Sequence, residues 1–175
     1  MNNDHLQSLM LRYQKGDEEA LEHLYVYLKG PLYEFLFRYC RDEQLSIDLV
    51  QDAFVKLQQN KVSFAPEKSN IKTYLYQIGY NLMITKLNRR TKWRKLLPFL
   101  LFERKPSEFD DEHLSLRQLL MQLPEKQRAI IILHYFDDMT QKDIAEVLNL
   151  PLGTVKSRLH HGIKTLKSMI EKEDD

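Results

Sequence analysis

Apolar residues recur every three to four positions along nearly the whole of this 175-residue chain, and that period constrains its fold more than any other feature. From Leu6 a stripe runs through Leu9, Met10 and Tyr13 until Lys15-Gly16 supplies a C-terminal stop. Asp17 then suits the cap of a second helix, with Glu18 and Glu19 at the positive end of its dipole. The stripe of that helix, Ala20, Leu21, Leu24 and Leu28, is expected to break at Gly30-Pro31 and resume at Leu32, Phe35, Leu36 and Tyr39. Ser46 is the expected cap of a helix over residues 47–59 that buries Leu49, Val50, Ala53, Phe54 and Leu57. Residues 60–69 lack any period and contain Pro66, which predicts a loop. A fourth helix over residues 71–97 buries Tyr74, Leu75, Ile78, Leu82 and Leu87. Further helices are expected over residues 113–122, 125–136, 141–148 and 152–171. Pro98 and Pro106 bracket a stretch ending in the acidic run Ser107-Glu108-Phe109-Asp110-Asp111-Glu112, a composition typical of interdomain linkers. The expected fold is therefore all-α: two small helical domains, residues 1–97 and 113–175, on a flexible linker at 98–112. The second ends in a helix-turn-helix.

Composition removes several function classes. Five glycines and six prolines leave too few turn residues for a many-stranded β fold, and the glycines are too isolated to cradle a phosphate. Cys40 is the single cysteine, which excludes an intrachain disulfide and fits a reducing, cytoplasmic setting. No apolar run approaches the ~18–20 residues of a membrane span, and the opening Met1-Asn2-Asn3-Asp4-His5 is no secretory signal. His5, His23, His113, His134, His160 and His161 show no chelating spacing, and no nucleophile–base pair stands out. The expectation is no catalytic residue, no metal, no cofactor, no small-molecule substrate and no enzymatic activity.

The formal charge of +1 conceals a strong pattern. Residues 1–69 are net −3, 70–105 net +8, 106–150 net −5, 151–170 net +4 and the tail net −3. Charge acts within a Debye length of roughly 8–10 Å, so two separated basic blocks predict two separate anionic contacts. Either block alone is equally compatible with a solvated helix face.

The second basic block falls in a motif. Thr140-Gln141-Lys142-Asp143 is a capping-box variant opening a short helix with Ile144, Ala145 and Leu148 on one face. Asn149-Leu150-Pro151 breaks it, with Asn149 in the place often taken by Gly, and a second helix follows at once. In that helix Val155, Leu159, Ile163, Leu166 and Ile170 form an inward stripe. Thr154, Ser157, His161 and Lys164 lie opposite, flanked by Arg158 and His160, a face able to enter a major groove. The first basic block interleaves Lys72, Tyr74, Tyr76, Tyr80 and Asn81 with Lys86, Arg89, Arg90, Lys92, Trp93, Arg94 and Lys95. Such a surface can track a single strand and stack its bases, although the helical period places Tyr74 in the core.

These residues resemble a known family. Ser46-Ile47-Asp48-Leu49-Val50-Gln51-Asp52-Ala53-Phe54-Val55-Lys56-Leu57 is similar to the core-binding helix of region 2 in extracytoplasmic-function (ECF) sigma factors of bacterial RNA polymerase. Tyr74-Leu75-Tyr76-Gln77-Ile78-Gly79-Tyr80-Asn81-Leu82 with Asn88-Arg89-Arg90 resembles that family's helix for the promoter −10 element. Leu123-Pro124-Glu125-Lys126-Gln127-Arg128 and Gly153-Thr154-Val155-Lys156-Ser157-Arg158-Leu159 resemble region 4, which reads the −35 element. The resemblance implies a promoter-specificity subunit that assists melting, with core RNA polymerase and promoter DNA as partners. It also implies a cognate anti-sigma factor, commonly membrane-anchored in the family. Asp48, Leu49, Gln51, Asp52 and Phe54 would form or support the polymerase-docking surface. The loop at 60–70 would hold an extruded −10 base, Asn81, Lys86, Arg89, Arg90 and Lys92 would line the −10 contact, and Thr154, Lys156, Ser157, Arg158, His161 and Lys164 would meet the −35 duplex.

Departures from the family pattern accompany it. Tyr74 stands where Trp is usual, Thr85 and Asn88 replace an Asp and an Arg, and Gly162 replaces an Ala. The run Leu96-Leu97-Pro98-Phe99-Leu100-Leu101-Phe102 is apolar for a linker and suits interdomain or partner packing. Two other classes fit parts of the pattern: a free-standing helix-turn-helix regulator, which would need a dimer surface, and a protein-interaction module with both basic faces solvated.

Overall fold

The computed structural model describes residues 3–96 and 116–171. The first half comprises α1 (Asn3–Gln14), α2 (Glu18–Cys40), α3 (Glu43–Gln59) and α4 (Ile71–Leu96), with a single 3-10 turn (Lys61–Ser63) before α4. The second comprises α5 (Leu116–Gln122), α6 (Glu125–Tyr135), α7 (Gln141–Leu148) and α8 (Leu152–Glu171). No strand occurs among the described residues. Pro98, Pro106, the apolar run to Phe102 and the acidic run at 107–112 lie outside them.

Most boundaries follow local chemistry. α1 stops at Gln14 because Gly16 takes φ +100°, and the Asp17 carboxylate accepts the Ala20 N–H to start α2. Two expectations fail. α2 does not break at Gly30-Pro31 but runs through Pro31 as one 23-residue helix. Leu24, Leu28, Leu32, Phe35 and Leu36 are buried on either side of the proline, and that continuous apolar stripe offsets the missing N–H. α3 is capped by Asp42, whose carboxylate accepts the Leu45 N–H at 2.9 Å, four residues ahead of Ser46. Ser46 is buried inside the helix, its hydroxyl donating to the Asp42 carbonyl at 2.7 Å. The earlier start brings Leu45 into the buried face.

The first half is centred on Leu24, Leu32, Phe35, Leu49, Leu57, Leu75 and Met83, and the second on Ile130, Ile132, Leu133, Ile144, Val147 and Val155. The two cores run together where α4 packs on α7 and α2 on α6. α4 therefore has neighbours on two sides, and its burial is wider than a one-sided stripe. Leu75 is buried as expected, Tyr74, Ile78, Leu82 and Leu87 are half-buried, and Tyr76 is wholly buried. Along α8, Val155 and Leu159 are buried, but Ile170 is exposed, because α8 is 20 residues long and α6 beneath it only 11.

Asp42 both caps α3 and binds Arg90, so its two roles separate by substitution. Asp42→Ala should lower stability by about 1 kcal/mol in urea unfolding. Asp42→Asn, which retains the accepting oxygen, should lose no more than about 0.5 kcal/mol.

Candidate nucleic-acid interface

The outer face of α3 presents Gln44, Asp48, Gln51 and Asp52, with Gln44 Nε2 donating to Asp48 Oδ1 at 2.9 Å. Leu49 and Phe54 are buried, so they hold this face in place and do not form it. Its apolar surface comes instead from Ile47 and Val55, exposed residues that sequence reading passed over. Both lie off the buried stripe of α3, and that spacing was the available signal.

The C-terminal part of α4 carries the basic surface. Asn81, Arg89, Arg90 and Lys92 are exposed. Lys86 Nζ meets Asp52 Oδ2 at 2.7 Å, and Arg90 Nη1 meets Asp42 Oδ2 at 2.7 Å. Asp52, expected at the polymerase, and Lys86, expected at the −10 element, therefore touch, while Arg90 pairs with the cap of α3. Both pairs are substantially solvent-exposed on at least one side, so each contributes at most about 1 kcal/mol and yields readily to a competing anion.

The tyrosines of α4 divide by environment. Tyr74 packs against Phe64 at 5.4 Å and Tyr80 against Tyr39 at 6.2 Å, each half-buried. Tyr76 stacks on Phe35 at 5.3 Å and has no exposed face for a base. Burial pushes its phenol well above the ordinary range, with the Asp137 charge adding to the rise.

In the second half Thr140 caps α7, its Oγ1 accepting the Asp143 N–H at 3.1 Å and donating to Asp143 Oδ2 at 2.6 Å. Asn149 takes the left-handed conformation (φ 50°, ψ 53°) and α8 begins after Pro151, forming the expected helix-turn-helix. Lys156, Ser157, His160, His161 and Lys164 are exposed on α8, and Thr154 is half-exposed. Ser157 Oγ donates to the Thr154 carbonyl at 3.1 Å, and His161 Nδ1 lies 2.6 Å from the Ser157 carbonyl. A carbonyl can only accept, so this contact requires the proton on Nδ1. Arg158 differs from its neighbours: it is half-buried, and its Nη1 is sealed from solvent without a hydrogen-bond partner.

Polar contacts join the halves. Tyr76 OH donates to Asp137 Oδ1 at 3.0 Å, and Lys72 Nζ to the Asp137 carbonyl at 2.9 Å. Asp143 Oδ1 accepts from Asn70 Nδ2 and Thr73 Oγ1, each at 3.2 Å, and the Glu146 carbonyl accepts from Gln77 Nε2 at 2.8 Å. Burial raises Asp137 to about 6, a rise opposed by the Tyr76 hydroxyl, Lys72 and Arg38 and reinforced by Asp138. Among the described residues no group of three His, Cys, Asp or Glu could hold a metal ion.

Comparison with known proteins gives one pattern. Residues 24–94 match the family model for Sigma-70 region 2, and residues 113–166 that for Sigma-70, region 4. The chain is 25% identical over 173 residues to the ECF RNA polymerase sigma factor SigW of Bacillus subtilis (strain 168), covering 90% of this chain and 92% of that protein. Its fold is similar to CnrH, solved in complex with the cytosolic domain of CnrY, at a TM-score of 0.73, 22% identity, and 96% and 98% coverage. It is also similar to the sigma factor RpoE, solved in complex with the anti-sigma factor NepR from Bartonella quintana, at a TM-score of 0.71 and 23% identity. That match covers 86% of this chain and 96% of the other.

The raised Asp137 sets a pH dependence. The folded protein holds this proton more tightly than the unfolded chain, whose carboxyl keeps the ordinary value of 3.8. The stabilisation is complete below about pH 4 and lost as pH rises through about 6. Urea midpoints at pH 5 and 7.5 should fall more for the wild type than for Asp137→Asn. At pH 7.5 the variant should be the more stable, by on the order of 2 kcal/mol.

Proposed function

Because the chain belongs to the sigma-70 family, in its ECF group, and acts as a promoter-recognition subunit of RNA polymerase, we propose how its surfaces divide that work. Residues 1–97 dock core polymerase through Asp48, Gln51 and Asp52 on α3, with Leu49 and Phe54 supporting them from beneath. The same domain reads the −10 element through Asn81, Lys86, Arg89, Arg90 and Lys92 on α4. Residues 98–112 are a linker, and residues 113–175 read the −35 element through Thr154, Lys156, Ser157, Arg158, His161 and Lys164.

The observation that carries this reading is the face of α8. It is acid-free over residues 152–170, exposed at Lys156, Ser157, His161 and Lys164, and set behind a left-handed turn on a short capped helix. Hydroxyls and a guanidinium there suit base edges, and lysines suit phosphates. On α4, promoter phosphates would replace Asp52 and Asp42 as partners of Lys86 and Arg90, an exchange of one anion for another at little net cost. The chain supplies recognition and no catalysis of its own. No described helix is long and apolar enough to cross a membrane, and the protein works with polymerase in the cytoplasm. Two relatives in fold were solved with regulatory partners, the anti-sigma factor NepR and the cytosolic domain of CnrY. An anti-sigma factor is accordingly the expected regulator here.

Added to core polymerase on genomic DNA, the protein should give transcripts from discrete start sites. Initiation without site preference would sink the reading. A mobility shift that is strong without core would favour the free-standing helix-turn-helix regulator. Arg158→Ala should weaken promoter binding about tenfold and relax base preference at one −35 position. Lys156→Ala should weaken all sequences alike and lower the salt dependence of binding by about one unit.

A further inference from the structure

Two glutamines of α1 reach across to the segment that joins α3 to α4. Gln14 Nε2 donates to the Lys61 carbonyl at 2.7 Å and to the Phe64 carbonyl at 2.9 Å, one amide hydrogen for each. Gln7 Nε2 donates to the Pro66 carbonyl at 3.1 Å. Seven residues apart on a helix, the two side chains stand nearly in line, and together they hold the segment at three carbonyls. It is fixed at two further points. Lys61 Nζ sits 4.5 Å from the centre of the Tyr13 ring and 3.7 Å from Glu18 Oε1, and Phe64 is buried against the Tyr74 ring.

Val62, Ser63, Glu67 and Lys68 of the same segment project into solvent. Val62, at 85% exposure, is the most exposed large apolar side chain among the described residues. Apolar residues on α1 would anchor a plain connection better, because Gln7 Oε1 is buried without a partner and offsets part of what the Gln7 hydrogen bond contributes. What glutamine adds is direction: an amide N–H fixes where a carbonyl must lie, and an apolar contact does not. Every residue has a carbonyl, so the clamp sets the course of the loop without dictating its exposed side chains. A backbone held from behind with side chains projecting in front is the arrangement of a recognition loop.

We propose that Gln14 and Gln7 are positioning residues for base choice at the −10 element: they hold the backbone of residues 61–66 where Val62 and Ser63 meet an unstacked base. Extruding a base costs free energy, which a pocket recovers best when its walls already stand in place. This rests on the promoter-recognition reading, with residues 60–70 taking the extruded base as the family resemblance implies. It goes beyond that reading by giving α1 a part in base choice, since α1 precedes residues 24–94 and their match to region 2 assigns it nothing.

The test is transcription by the reconstituted holoenzyme from a promoter library randomised across the −10 element, with each member barcoded in its transcript. Gln14→Leu combined with Gln7→Leu should lower base discrimination at one −10 position at least threefold and leave the −35 preference unchanged. Gln14→Lys keeps a donor on a chain of similar reach and should retain the discrimination. Asp17→Ala removes the α2 cap without touching the loop, so it lowers stability and should also retain it. Hydrogen exchange over residues 60–68 should be at least threefold faster in Gln14→Leu than in Asp17→Ala. Unchanged discrimination in the double glutamine variant, or an equal loss in Asp17→Ala, would overturn the positioning role and leave promoter reading intact. Val62→Ala with Ser63→Ala addresses the loop itself and should alter preference at the same position. If it altered none, the loop reading would fall and the positioning role with it. A wild-type holoenzyme without discrete start sites would remove the promoter-recognition reading as well.

Discussion

The position of α4 is fixed by packing on both of its sides, and the other surfaces of the molecule take their places from it. Leu75 and Met83 lock the helix against the first half, while Tyr76 passes its hydroxyl to Asp137 across the boundary with the second. One element thus supplies core to two domains, bases to the exposed surface and donors to the contact between halves. A helix with a single apolar face cannot do this, which is why its hydrophobic pattern is weaker than that of α7 or α8.

Where one helix face meets one core, the sequence was an adequate guide. The stripe of α1, the start of the α8 stripe at Val155 and Leu159, the Asp17 and Thr140 caps and the left-handed Asn149 all follow from local rules. The failures have a shared cause. Ser46 satisfies the local rule for a cap, but Asp42 meets it four residues earlier and adds Leu45 to the buried face. Pro31 satisfies the rule for a helix stop, but buried leucines on both sides carry α2 through it. Tertiary burial decided both, and it is not visible from a four-residue window.

The candidate site was legible in residue type and less so in exposure. Charged and polar members such as Asp52, Arg89 and Lys164 lie at the surface, as their chemistry demands. Leu49 and Phe54 stand in the same motif and face inward, as the apolar period of α3 predicts. Arg158, expected on the outward face of α8, is half-buried, because a motif records which residues occur together and not which way each points. The interface between halves left a faint trace only. Asp143 in place of Glu or Gln was visible as an irregular capping box, and its reason lies 70 or more residues away, at Asn70 and Thr73.

Gly162 has a consequence of a different kind. A Cβ built there would come within 2.8 Å of Ile131 Cδ1, the terminal methyl of a side chain, and within an ordinary 3.5 Å of Gln127 Cβ, so α8 rests closely on α6 at this point and a larger residue requires Ile131 to move. Gly162 sits near the middle of α8 and is buried, so its loss in helix propensity is set against close packing on α6. A side chain at Gly162 that Ile131 did not accommodate would tilt α8 on α6, and with it the exposed face that carries Thr154 and Ser157. Sequence preference in such a protein can therefore drift through a residue that never approaches a base.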